Sequence, residues 1–250
     1  MKTITRKDLF VHDMVHDNPG FKKYQSIYNN PKFLKKRGYD GKTFDLYNCA
    51  QYGLLWDGVG AKYGREEIFP LGSEERAWVE NHKSKLKKLY AEAVTEGLKV
   101  SFMMDIIVFP INLVRLFPEI LNEEGKIDIS ASMTQALMEE MFDEMFREFP
   151  QISGIYVRYG ETYAQAKYGI PFHTGNNPIL EGNEKYHFEL ISFLMKTVCD
   201  KHQREIYYRT WGFGAFQHDK DTYLRISDKL PVNDRFYFVS NTRRAIFGVA

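Results

Sequence analysis

Ile155-Tyr-Val-Arg-Tyr-Gly-Glu-Thr-Tyr163 decides how this chain reads, because a short β-rich run delivers Arg158 and Glu161 directly into a loop. The same event recurs along the sequence. Apolar runs finish at His12/Asp13, Asn48/Gln51, Asp105, Arg158/Glu161, Arg209/Trp211 and Asn241/Thr242, with helical sequence between them. Strands that alternate with helices predict a parallel sheet joined by right-handed crossovers. When such a sheet closes into a barrel, the C-terminal strand ends build the active site.

Working outward, a first strand is expected over residues 8–14, followed by the Asn-Pro-Gly turn at 18–20, where proline fixes φ and glycine permits the reversal. A short helix over 31–37 closes at Gly38, and residues 43–47 alternate as a strand does. Ser73-Glu-Glu-Arg caps a helix that runs to about residue 96, with Trp78, Leu86, Leu89 and Ala93 on its inner face, and Gly97 stops it. Residues 99–107 are almost continuously apolar apart from Asp105, which fits a strand buried on both sides. Ser132-Met-Thr-Gln135 has the spacing of a capping box. Met133, Leu137, Met141 and Met145 then repeat at helical spacing and are expected in the core. A fourth strand is expected over 152–158, a helix over 184–202, a fifth strand over 204–209, a helix over 222–228 and a sixth strand over 235–240.

The fold class expected is therefore α/β, a (β/α)8 barrel type with about six βα units in one domain spanning 1–250. The sixth strand leaves only about ten residues, whereas each further unit needs roughly 30. Either the chain is a piece of a longer protein, truncated at its C-terminus, or the barrel is open; the first reading is favoured.

Composition narrows the function classes. Thirty-four basic and 33 acidic residues leave a net charge of +1 with no long Lys/Arg block, so nucleic acid is not expected as a partner. No uncharged stretch approaches the span of a bilayer, and no membrane partner is expected. The N-terminus has no apolar run of signal-peptide length. Two distant cysteines, Cys49 and Cys199, indicate neither a disulfide framework nor a zinc site. Cys49 is expected as a small buried hydrophobe. Aromatic residues make up 15% of the chain, compatible with stacking on sugar rings.

Glu161 is the sharpest catalytic candidate. Gly160 lets the backbone turn after the strand, and Tyr159 and Tyr163 could wall in the carboxylate and raise its pKa toward that of a general acid. Glycoside hydrolysis usually needs two carboxylates, and Asp105 is the first partner to consider, with a buried pair to Arg158 or Arg209 as the alternative. Asp13 and Asp17 are weaker candidates. His12 and His16 lie four apart, but at a strand end and turn rather than on a helix, so a polar substrate contact is expected there and no metal. No cofactor is expected. Asn48, Gln51, Arg158, Tyr163, His173, Arg209, Trp211 and Asn241 complete the expected substrate-binding set, with Trp56 and Tyr52 as sugar platforms or core packing.

Tyr-Val-Arg-Tyr-Gly-Glu161, Phe10-Val-His-Asp-Met-Val-His-Asp-Asn-Pro-Gly20 and Tyr-Arg-Thr-Trp211 together resemble TIM-barrel glycoside hydrolases, in the manner of bacterial polysaccharide-degrading enzymes. The resemblance implies an acid/base glutamate at the end of strand four, which is Glu161 here. The large retaining group has an asparagine before that glutamate, where this chain has Gly160. A Gly-Glu pair with a nearby arginine is more similar to α-glucuronidase-like barrels, which implies Arg158 and Arg209 as clamps on a uronic carboxylate. The retaining nucleophile belongs to strand seven, beyond the six strands read here, so a fragment is expected to be inactive alone. A non-catalytic glycan-binding or structural barrel is the alternative.

Overall fold

A computed structural model describes residues 10–14, 30–158, 170–172, 183–209 and 220–239, with only the backbone of Asp13, Met14 and Lys220. Six strands, β1 (His12–Met14), β2 (Gly41–Phe44), β3 (Lys99–Asp105), β4 (Ile152–Arg158), β5 (Glu205–Arg209) and β6 (Phe236–Val239), form one sheet in chain order. Every neighbouring pair is parallel. The helices are α1 (Pro31–Lys36), α2 (Val59–Lys62), α3 (Glu74–Thr95), α4 (Ile111–Leu116), α5 (Ser132–Glu148), α6 (Glu184–Leu194) and α7 (Lys220–Ser227). The alternation of strand and helix expected from the sequence is thus present as an α/β fold with a parallel sheet.

Local chemistry explains where elements stop. β2 ends at Phe44, earlier than the alternation through residue 47 suggested, because Asp45 captures the Tyr47 and Asn48 amides at 3.0 and 2.9 Å and opens a 3-10 turn. α3 starts where Ser73 Oγ accepts from the Arg76 amide, and it ends at Gly97, whose φ of +72° only glycine adopts readily. The capping box expected at Ser132 is absent. Ala131 occupies the N-cap without a side-chain bond, and Gln135 Nε2 donates back to the Ile129 carbonyl at 3.1 Å. Asp128 has already turned the chain by accepting from Ser130, so the helix begins one residue early. α6 passes into π-helical turns over Met195–Lys201.

The two faces of the sheet differ sharply. Phe44, Phe102, Ile155 and Ile206 align across the strands on one face, with Met104, Val157 and Tyr208 on the next row, all buried. Side chains of α3, α5 and α6 join them in a single core. Tyr90 of α3 stands 4.9 Å from Phe44, and His187 of α6 bonds Tyr208 at 2.8 Å. Burying each such large side chain stabilises the fold by roughly 1.5–3 kcal/mol. Leu137, Met141 and Met145 of α5 are in this core as expected, with Met133 packed at its margin, and Cys49 is buried. Tyr52 and Trp56, considered as sugar platforms, are each 1% exposed and belong to the core instead.

The opposite face carries Thr43, Ser101, Gly154 and Glu205 in one row and Met103, Tyr156, Tyr207 and Tyr237 in the next. Its contacts skip strands. His12 Nδ1 lies 3.5 Å from Ser101 Oγ, and its ring centroid lies 5.9 Å from that of Tyr207. Lys99 reaches Glu205 at 3.4 Å, and Arg209 Nη1 reaches Met103 Sδ at 3.6 Å. In a flat sheet β1 and β5 would stand about 19 Å apart, further than two side chains lying toward one another can close. The sheet therefore curls around this polar, aromatic face and keeps its helices outside. The contacts that skip one strand join residues two positions out of register, and His12 with Tyr207, four strands apart, about four, a stagger of roughly one residue per strand.

Candidate functional site

At the C-terminal end of the sheet, Asp105 closes β3 and faces Arg158 at the end of β4. Arg158 Nε donates to Asp105 Oδ1 at 2.8 Å and Nη2 to Oδ2 at 3.4 Å. Asp105 has no exposed surface, while the Arg158 side chain keeps 19% of its own. A fork of this kind fixes the guanidinium in angle as well as place. Arg209 ends β5 in the same alternation and lies over Met103. The buried pairing of Asp105 with Arg158, weighed from the sequence as the alternative to a catalytic role, is what the geometry contains.

The turn after β2 braces this edge. Gln51 is 1% exposed, donates Nε2 to the Asp105 and Val108 carbonyls at 3.4 and 3.3 Å, and accepts from Cys49 Sγ at 3.2 Å. Its expected contact with substrate gives way to a tie that holds the end of β3. Burial pushes the Cys49 thiol well up, so it sits there as a neutral donor. Asn48 donates Nδ2 to Asp45, and its own carbonyl accepts from the Tyr90 hydroxyl at 2.6 Å. Asn48 Oδ1 is buried and has no hydrogen-bond partner among the described residues. From outside, Glu144 of α5 accepts the Leu55 and Trp56 amides at 2.7 and 2.8 Å and holds the loop in which Trp56 adopts a φ of +59°. Burial raises the Glu144 carboxyl pKa despite those two amides.

His12 needs a correction of place. It opens β1 opposite Gly41, the first residue of β2, rather than ending a strand, and Asp13 is likewise paired inside the strand with Lys42. The β3 residue that His12 meets, Ser101, lies about 13 Å along the strand from Asp105. His12 thus sits below the strand-end pair, not beside it.

Sequence reasoning missed the tyrosines of the concave face. Tyr156 and Tyr207 stack at 4.4 Å, Tyr207 and Tyr237 at 5.3 Å, and Tyr156 OH lies 3.5 Å from His12 Nδ1. Tyr207 donates to Glu205 at 3.0 Å. Burial raises the Tyr156 and Tyr207 phenols, the latter with help from Glu205, so both are protonated donors at neutral pH. The signal was available: Tyr156 and Tyr207 each precede a strand-end arginine by two residues and must share its face.

Glu161, Tyr163, His16, Asp17, His173, Trp211 and Asn241 lie outside the described residues. Among the described residues no group of three His, Cys, Asp or Glu side chains could hold a metal ion, and no helix is long and apolar enough to cross a membrane. Compared with protein-family models and with curated proteins, the chain matches none.

Proposed function

We propose that the curled sheet is the wall of a (β/α)8-type barrel whose C-terminal mouth hydrolyses glycosidic bonds of a poly- or oligosaccharide, with Glu161 as general acid/base. The observation that carries this reading is the stagger of the concave face. In an eight-stranded barrel, alternate strands fill one interior layer, and the shear is one residue per strand. His12, Ser101 and Tyr207, from β1, β3 and β5, meet in that relation, as do Phe10 beneath the Lys99 amine at 4.4 Å and Lys99 with Glu205.

At the mouth, Asp105 orients Arg158, and Glu161 follows Arg158 by three residues. Arg158 and Arg209 present a cationic edge suited to a uronic carboxylate. Asp105 remains the second carboxylate of the reading, and its fork with Arg158 favours the alternative of a glycan-binding barrel without turnover.

The test is hydrolysis of aryl-glycosides and uronic-acid oligosaccharides by the chain and by Glu161→Gln, with binding of the same oligosaccharides in parallel. Turnover lost in Glu161→Gln with binding retained supports the hydrolase; binding without turnover in both supports the alternative. Neither binding nor turnover overturns the carbohydrate reading.

A further inference from the structure

His12 is the one residue of β1 whose described side chain crosses the concave face. Its ring lies over Gly41, where an added Cβ would come within 2.5 Å of Nε2, so the absence of a side chain there creates its seat. From that seat it touches three further strands. Nδ1 lies 3.5 Å from both Ser101 Oγ on β3 and Tyr156 OH on β4, and the ring stands 5.9 Å from Tyr207 on β5. Among the described residues, the rest of the hold on β1 is Phe10 beneath the Lys99 amine at 4.4 Å and the edge with β2. Three residues pair with β2, the Asp40 and Gly41 amides both donate to the Val11 carbonyl, and Asp40 Oδ2 accepts from the Val11 amide.

A neutral imidazole suits this seat and an imidazolium does not. Protonation places a hydrogen on both nitrogens. Nδ1–H would find the Ser101 and Tyr156 oxygens, but Nε2 is buried and has no hydrogen-bond partner among the described residues. A buried charged donor left without an acceptor is costly. Among the described residues, the charged and titratable groups facing the ring are Asp40 before β2, Lys99 on β3, Tyr156 on β4, and Glu205 and Tyr207 on β5. Asp40 and Glu205 favour the cation and Lys99 opposes it, and burial outweighs them and lowers the His12 pKa below 6.5.

We propose that His12 is an acid-sensitive latch: neutral, it closes β1 over the concave face onto β3, β4 and β5, and protonated, it leaves its seat and β1 parts from β2. The sign follows from linkage. Released His12 takes up a proton near its ordinary value of 6.5, whereas seated His12 does so only at lower pH. Above 6.5 both states are neutral and the latch is fully closed. As pH falls below 6.5 the released state is favoured, by up to about tenfold per pH unit until the seated imidazole also titrates. The device does not depend on the chain's acting on sugars.

Hydrogen exchange of the Asp40 and Gly41 amides, corrected for intrinsic rates, tests it between pH 7.5 and 5, above the ordinary range of Asp40 itself. In the wild type, protection of these amides should fall by up to about tenfold per unit below pH 6.5 beyond any fall they share with the α3 amides, which carry the His82 titration. In His12→Phe, which fills the seat but cannot titrate, protection should stay flat; Gly41→Ala, which displaces the ring, should lose the pH dependence with protection already low. Flat wild-type protection, or the same slope persisting in His12→Phe, overturns the latch. If His12→Phe does not fold, titration of the wild-type His12 ring by NMR decides: a midpoint below 6.5 supports the latch and one at or above 6.5 overturns it.

Discussion

Asp105 lies fully buried against Arg158, so each side chain's presence is a condition for the other's. Arg158→Met should cost about 3–5 kcal/mol by urea denaturation, because it strips a buried carboxylate of its guanidinium, and adding Asp105→Asn should restore part of that loss. Glu144 makes a comparable case with two backbone amides in place of a guanidinium. Glu144→Ala leaves the Leu55 and Trp56 amides unmet and should cost about 2–5 kcal/mol. His82, stacked on Trp78 at 4.8 Å, is held to about 4, chiefly by burial and then by Lys85. Its unfolded form titrates near 6.5, so native stability should decline as pH falls from 6.5 toward 4, and His82→Gln should flatten that slope in urea melts. At this scale the sequence was informative where a charge interrupts an apolar run: Asp105 and its alternative partner Arg158 were both readable. Gln51 was not, because nothing in a polar residue after a strand distinguishes a brace on a carbonyl from a contact with substrate.

Periodicity carried the elements. β4 occupies residues 152–158 as its apolar run predicts, and α5 buries Leu137, Met141 and Met145 at the spacing read from the chain. Leu137→Ala should therefore cost about 2–5 kcal/mol, while Arg147→Ala on the exposed face of the same helix should stay within about 0.5 kcal/mol, both by thermal or urea melts. Ends were less legible than interiors, for a physical reason. Asp45 stops β2 and Asp128 pre-empts the cap at Ser132, each through side-chain bonds to nearby groups that compete with regular structure. The start of β1 was misjudged for a different reason, since its pairing with Gly41 depends on the neighbouring strand and not on its own pattern.

Across the whole molecule, chain-order parallel pairing followed from alternating strand and helix signals, but the curl did not. Hydrophobic period fixes which residues face the helices; the stagger that brings Phe10, His12 and Ser101 against side chains of more distant strands is a property of register across several strands. The barrel reading and the place of its mouth rest on that curl. Aromatic NOE spectroscopy on the intact chain, with the rings of His12 and Tyr207 assigned, tests it most directly. The account predicts cross-peaks between the two rings, whose centroids lie 5.9 Å apart. Their absence, with the cross-peaks of the stacked Tyr156–Tyr207 pair present, would mean that β1 and β5 stand apart as in a flat sheet, and would contradict the barrel.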